Sequence, residues 1–300
     1  MEKGNEVKLI LDTDIGSDID DAVCLAYLLR QPRCELLGIT TVSGEPERRA
    51  MLADAICRAA GRTDIPIHSG ASDPLLVQPR QPKAPQADVL SNWAHSSEYR
   101  PNTGVAFLRD TIRSNPGKIT LLTIGPLTNI ALLFKLDPEI PKLLKSVVMM
   151  IGTFSHPFDR VRRPVEWNAY LDPHAAAIVF NTPELRSTSI GLDVTTQCTM
   201  EAGECRRKLK GGALEVVRDA AEVWFKRAPI LTFHDPLAAT AIFEPDVMTY
   251  RHGRVSVELQ SDTLAGMTVW DGEDKAQLHT IAVEVDSDAF FQDFFTIAIP

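Results

Sequence analysis

The chain has 300 residues, with 31 Lys and Arg against 40 Asp and Glu and a formal net charge of −9, a length that admits one large α/β domain or two small ones. Its apolar share of 44% and charged share of 24% are ordinary for a globular protein, and the acidic balance argues against nucleic acid or an anionic membrane as partner, because both call for surplus Lys and Arg. Met1–Lys8 is polar and no run nears the ~20 apolar residues that cross a bilayer, while Cys24, Cys34, Cys57, Cys198 and Cys205 include no close CxxC pair, which fits reduced thiols in a cytoplasmic protein and speaks against zinc.

In chain order, Val7–Leu11 reads as a buried strand and Asp20–Arg30 as a helix opened by acids and closed before Pro32. Glu35–Val42 is the next strand, and Glu47–Ala60 a helix that Gly61 terminates. Asp73–Tyr99, with Pro74, Pro79, Pro82 and Pro85 and weak periodicity, reads as a long functional loop holding short helical pieces. Ile119–Ile124 is a strand followed by the helix Leu127–Leu136, and Ser146–Ile151 is another strand. The basic stretch His156–Pro164 interrupts the alternation; Asp172–Phe180 then reads as a helix and Thr188–Val194 as a strand. A helix opens at Pro236, Val255–Leu259 and Ile281–Val285 read as strands, and Asp288–Ile299 closes the chain as a helix. This β-α-β alternation predicts a mostly parallel sheet covered by helices on both faces, in one domain over residues 1–300.

Directly after the first strand, Asp12, Asp14, Asp18, Asp20 and Asp21 fall within ten residues. In an open parallel sheet, ligands bind beyond the carboxyl ends of the strands, and these acids stand at such an end. Their repulsion is relieved by a hard cation, by protonation or by water, and Gly16 permits a turn tight enough to bring acids from both sides together. A helix cap at Asp18 or Asp20 needs one acid; five point to a metal site. After Ile119–Ile124 comes Gly125-Pro126-Leu127-Thr128-Asn129, either a turn that leaves the Ile124 carbonyl free to coordinate or an ordinary helix start with Thr128 as cap. Glu166 and Asn168 stand two residues apart, so in an extended segment both point to one side and can grip one polyol, unless the backbone satisfies them. His234-Asp235-Pro236 precedes a helix, where Asp235 alone would be an N-cap.

Taken together these segments resemble the nucleoside hydrolases of the inosine–uridine type. The matching pieces are the aspartate cluster, Gly38-Ile39-Thr40-Thr41-Val42, Gly125-Pro126-Leu127-Thr128-Asn129-Ile130-Ala131, Val148-Met149-Met150, Glu166-Trp167-Asn168 with Asp172-Pro173, and His234-Asp235-Pro236. The closing Gly266…Thr268…Asp271 and Val283…Asp286 stretches follow in the family's order. The resemblance implies an α/β fold, an open, mostly parallel Rossmann-like sheet flanked by helices. It implies hydrolysis of the N-glycosidic bond of a ribonucleoside, or a related N-ribosyl compound, to free base and ribose by a calcium-activated water. By the same resemblance Asp14, Asp21 and Asp235 hold Ca2+ with the backbone carbonyl of Ile124, and Asp14 is also the general base. Asp20, Glu166 and Asn168 bind the ribose hydroxyls. His234 occupies the place that in part of the family assists the departing base; otherwise it orients Asp235. Trp93 and His95, in the proline-rich loop, are candidates to stack on or contact the base. The expected partner is a small-molecule nucleoside, and the expected assembly a homodimer or homotetramer.

Three features depart from the family pattern. The acid cluster is two residues longer than Asp-x-Asp-x-Gly-x-Asp-Asp, so that either Asp18 or Asp20 faces the sugar. Glu45 follows Gly44 where typical members carry Asn, which puts an acid among the substrate-binding candidates. Phe158-Asp159-Arg160-Val161-Arg162-Arg163 stands where a Gly-Asn turn is usual, and Arg160, Arg162 and Arg163 could answer Glu45 or meet an anionic substituent on the substrate. Two rival readings remain. A haloacid-dehalogenase-like phosphatase would use a nucleophilic Asp with magnesium but leave Glu166, Trp167 and Asn168 without a role. A non-catalytic nucleoside or ribose binder could use the same fold, yet has no need of a metal-activated water.

Overall fold

The computed structural model describes residues 6–154 and 164–299; the expected basic stretch, with Arg160, Arg162 and Arg163, lies outside the described residues. Strand β1 (Val7–Thr13) is followed by α1 (Asp20–Arg30), β2 (Cys34–Thr41), α2 (Pro46–Ala59) and β3 (Ile67–Ser69). The long loop contains a 3-10 helix at Pro85–Asn92 and leads to α3 (Gly104–Ser114), β4 (Ile119–Thr123), α4 (Thr128–Leu136), α5 (Ile140–Leu143) and β5 (Ser146–Met149). Then come α6 (Trp167–Leu171), α7 (Pro173–Phe180), β6 (Ser187–Ser189), α8 (Leu192–Thr195), β7 (Thr199–Glu201), α9 (Ala202–Lys208) and α10 (Ala213–Phe225). The chain closes with β8 (Ile230–Thr232), α11 (His234–Phe243), β9 (Met248–Val257), β10 (Thr268–Asp271), β11 (His279–Val285) and α12 (Ser287–Ala298).

Nine strands form one sheet in the order β10-β9-β11-β6-β5-β4-β1-β2-β3, and β7 and β8 pair separately. From β3 across to β11 every pairing is parallel; β9 and β10 are antiparallel at the far edge. The apolar runs follow from that placement. All of β4 is buried, as a parallel strand covered on both faces must be. Alternation sends Leu9 and Leu11 of β1 into the core under α1, α2, α10, α11 and α12, while Ile10 faces the core under α3, α4 and α7. The chain runs β1-β2-β3 in one direction and resumes with β4 on the other side of β1. Adjacent loops therefore part between β1 and β4 and leave a crevice beyond their carboxyl ends.

The structure shortens some expected elements and adds others. The strand expected over Thr188–Val194 stops at Ser189, because Gly191 opens the short helix α8. The helix expected from Pro236 already begins at His234. Strand β9 starts well before Val255, since its first half is a polar strand paired with β11 on only one apolar face. Helices α3 and α10, both strongly amphipathic, fall in stretches that the β-α-β reading left unassigned.

Candidate active site

The acids after β1 converge with one from α11 in the crevice between β1 and β4. Asp20 and Asp21 open α1, and Asp235 sits in the first turn of α11. One carboxylate oxygen from each of these three lies within 4.8 Å of the others, and all three residues are buried. Thr13 Oγ1 donates to Asp21 Oδ1 at 2.5 Å, and the Asp235 backbone N–H donates to Asp20 Oδ2 at 3.1 Å. Burial pushes all three carboxyls well above the usual carboxylate range, and the negative charges of neighbouring aspartates push them further. Among the described residues no Lys or Arg forms an ion pair with any of them. A hard cation accepts oxygen ligands at about 2.3–2.6 Å, so its ligands stand at most about 5 Å apart. The three carboxylates satisfy that spacing, and their charge calls for such an ion.

Asp21 and Asp235, two of the acids expected on the metal, stand in this group, and Asp20, expected on the sugar, stands with them. Asp14 follows β1 directly and is buried, and its charge acts on Asp20, Asp21 and Asp235. Its Oδ2 accepts a hydrogen bond from Gln81 Nε2. A Cβ on Gly125 would come within 2.8 Å of Asp14 Oδ1, so the glycine after β4 is what leaves room for this carboxylate. Asp18 borders the cavity with Oδ1 accepting from the Ile19 N–H at 2.6 Å, and burial pushes its carboxyl up to about 7. Asp12 is not part of the site. It accepts from Thr40 Oγ1 and, at 2.7 Å, from Asn129 Nδ2, tying β1 to β2 and α4.

The acids floor a cavity of about 530 Å³ whose walls include Ile124, Met150, Glu166, Trp167, Asn168 and His234. A larger open hollow of about 810 Å³ between α4 and α7 holds no such group of acids. Glu166 and Asn168 both reach the cavity, but not as neighbours on an extended segment, because α6 starts at Trp167. Glu166 caps that helix: Oε1 accepts from Asn168 N at 2.6 Å, and Oε2 from Ala169 N at 3.0 Å and Gly152 N at 3.1 Å. Burial nevertheless raises its carboxyl to about 7. Asn168 Nδ2 donates to Ile124 O at 2.9 Å and to Met150 O at 3.0 Å, which engages one lone pair of the Ile124 carbonyl and leaves its second able to coordinate. His234 Nδ1 lies 2.7 Å from Thr195 Oγ1, and burial lowers its imidazole to about 4.

Three expected substrate contacts are not brought to this cavity. Glu45 turns outward to Lys83 Nζ at 2.9 Å and the Ala84 N–H at 3.0 Å. Trp93 packs against the core by α10 and donates Nε1 to Asp219 Oδ2 at 3.1 Å, and His95 Nδ1 lies 2.7 Å from the Trp93 carbonyl. Among the described residues, the tryptophans that do line the cavity are Trp167 and Trp224. Trp167 was signalled by its place between Glu166 and Asn168; Trp224 lies on the unassigned α10.

Arg49 of α2 is a second residue that sequence reasoning passed over. It is fully buried, and it donates to the carbonyls of Asp14, Ile15 (3.1 Å), Ser43 (2.6 Å) and Lys83 (3.1 Å) and to Ser17 Oγ (2.9 Å). One guanidinium therefore fastens the aspartate loop, the turn after β2 and the proline-rich loop to each other. Arg49→Leu strips donors from several buried carbonyls at once and is expected to lower stability by about 3 kcal/mol or more. Urea unfolding measures this; a loss under about 1 kcal/mol would mean that the loops hold without the guanidinium.

Known proteins are similar to this chain over nearly its whole length. The family model described as inosine-uridine preferring nucleoside hydrolase matches residues 9–292. Uridine nucleosidase 1 of Arabidopsis thaliana is 32% identical, with 90% of this chain and 85% of the relative covered. The inosine-uridine preferring nucleoside hydrolase of Leishmania major is 32% identical over 95% of both chains. Among solved structures, the purine-preferring ribonucleoside hydrolase from Gardnerella vaginalis superposes with a TM-score of 0.82 at 26% identity, covering 97% of this chain and 98% of its own. With the acid cluster at the same switch point that the sheet order creates, the chain belongs to the inosine-uridine preferring nucleoside hydrolase family.

Proposed function

We propose that this protein uses a single Ca2+ to hydrolyse the N-glycosidic bond of a ribonucleoside, or of a close N-ribosyl relative, giving free base and ribose. As a member of a metal-dependent ribohydrolase family it is an enzyme of N-glycosidic bond cleavage. The single observation that carries the finer reading is the meeting of Asp20, Asp21 and Asp235 within 4.8 Å at the carboxyl end of the sheet. An oxygen-only donor set suits calcium. Asp20, Asp21 and Asp235 would hold the ion, with Asp14 and the Ile124 carbonyl as the further ligands that the family resemblance implies. A cation bound there supplies a Lewis acid that lowers the pKa of a nearby water and a grip on the sugar's hydroxyls.

The protein's own groups do the rest. Asp14 takes the proton of the water that attacks C1′. The bond from C1′ to the base nitrogen breaks, and its electron pair leaves with the base. Positive charge builds on the ribosyl group as this happens, and the surrounding carboxylates stabilise it. Glu166 and Asn168 hold ribose hydroxyls. With Asn168 Nδ2 already given to two carbonyls, its amide oxygen is the atom left for a sugar O–H, and Glu166 has lone pairs beyond those its backbone donors use. Asp18, at the cavity wall, joins them on the sugar side. His234 donates a hydrogen bond to the departing base, and Trp167 and Trp224 give it an apolar wall. The enzyme would work in the cytoplasm as a homodimer or homotetramer, which sedimentation can establish.

A panel of purine and pyrimidine nucleosides, assayed for free ribose with and without a calcium chelator, tests the reading. Ribose release should fall at least about 100-fold in chelator and return with added Ca2+. Turnover that persists without metal would remove the calcium role, and nucleoside binding by calorimetry with no ribose released would make the protein a binder.

A further inference from the structure

The segment from Arg80 to Gln86 lines the cavity through Arg80, Gln81, Pro82, Lys83 and Pro85 and is fixed at both sides. Arg80 donates to the Tyr170 carbonyl and stacks 3.7 Å from the Tyr170 ring centre. Lys83 and Ala84 are held by Glu45, Arg49 donates to the Lys83 carbonyl at 3.1 Å, and Gln86 N donates to Gly16 O at 3.0 Å. Gly44, with φ +58°, lies directly under the strap, where a Cβ would strike the Gln81 carbonyl and Pro82. The side chain that this strap presents inward is Gln81. Its Nε2 donates to Asp14 Oδ2, and its Oε1 accepts from Trp167 Nε1 at 2.8 Å.

The orientation of that amide is dictated by its two partners. An ionised carboxylate only accepts, and an indole N–H only donates. A flipped amide would set oxygen against oxygen on one side and N–H against N–H on the other. Trp167 thus selects the amide face that Asp14 receives. Fixing one oxygen of Asp14 in this way limits rotation of its carboxylate and leaves the other oxygen to accept a proton. We propose that Gln81 is the positioning residue for Asp14, orienting it from outside the Asp20–Asp21–Asp235 cluster and locked in turn by Trp167. The inference rests on Asp14 acting as the base.

Gln81→Leu keeps the side chain's bulk and removes both hydrogen bonds. It is expected to lower kcat by about 10–100-fold, as loss of a group that orients a ligand or base does, with KM within about threefold of wild type. The loss should be equal on a nucleoside and on p-nitrophenyl riboside, because water activation is common to both. Calcium affinity, measured by calorimetry on chelator-stripped protein, should fall much less than kcat, since Gln81 touches none of the three clustered acids and only one oxygen of Asp14. Gln81→Glu, which puts a second charge against Asp14 on an unchanged backbone, should show the same pattern with a deeper loss. A kcat within about threefold of an active wild type overturns the inference, as does a change confined to KM or a calcium affinity that falls in step with kcat. A wild-type protein that releases no ribose sinks the general-base reading itself, and this inference with it.

Discussion

Asp14→Asn is expected to lower kcat by about 10³-fold or more while leaving the protein folded, because it removes the group that takes the proton from the attacking water. Asparagine has the same shape, and its amide can still face Gln81, so the loops around it have no reason to move. The metal-free protein should be at least as stable as wild type. Asp14 adds its negative charge to a neighbourhood that already raises the carboxyls of Asp20, Asp21 and Asp235, and removing one buried charge relieves the others. Ribose release and thermal unfolding in chelator, measured side by side, separate these effects. A kcat within about tenfold of wild type, a barrier change of only about 1.4 kcal/mol, would exclude Asp14 as the base. Calcium titration of the same variant settles a second point. A loss of affinity smaller than that of Asp20→Asn would agree with the observed cluster, and a larger one with Asp14 as the ligand that the family resemblance implies.

The location of this site was legible because two simple signals coincide. A continuous apolar strand marks β1 as central, and the acids begin where it ends, so chemistry at a sheet's carboxyl edge follows from pattern alone. Asp235, before its proline and helix, reads by itself as an N-cap, and only the family resemblance carried it to the site. Spacing along the chain does not show that the turn at Gly16 carries Asp20 together with Asp21 up to Asp235. Nor does it show that Thr40 and Asn129 capture Asp12. Glu166 and Asn168 were placed at the cavity correctly in position but wrongly in conformation, since a carboxylate followed by free N–H groups caps a helix as readily as it extends a strand.

The loops mislead for a different reason. Periodicity carries information only where a helix or strand repeats, so residue type was the sole guide within Asp73–Tyr99. An aromatic and a histidine there attracted the base-binding assignment, whereas Trp93 anchors the loop to α10 and Gln81, chemically bland in isolation, reaches Asp14. Glu45 shows the same exchange. An acid in place of a ligand-binding amide suggested a charged substrate site; in the fold it holds Lys83 and Ala84 and so keeps the Gln81 strap in place. Arg49 escaped notice because a single cation within a helix normally faces water, and only the three loops packed over α2 make it a buried hub.

His234→Ala is expected to slow hydrolysis of a natural nucleoside by about 10²–10⁴-fold and to leave p-nitrophenyl riboside nearly unchanged. A departing base develops negative charge on its nitrogen and needs a donor, whereas p-nitrophenolate leaves without one. His234 lines the cavity from the first position of α11, with Nδ1 2.7 Å from Thr195 Oγ1. If the Thr195 hydroxyl donates to Nδ1, the ring proton is left on Nε2, the nitrogen free to serve a leaving group. Thr195→Val should then reproduce part of the nucleoside loss, again sparing the activated substrate. The competing role is mechanical, because His234 is bonded in sequence to Asp235 and could act only by setting that carboxylate in the cluster. In that case both substrates depend on it equally, since each needs the same sugar and water site. Parallel losses on the two substrates, accompanied by weaker calcium binding, would therefore assign His234 to the support of Asp235 and leave the departing base to solvent.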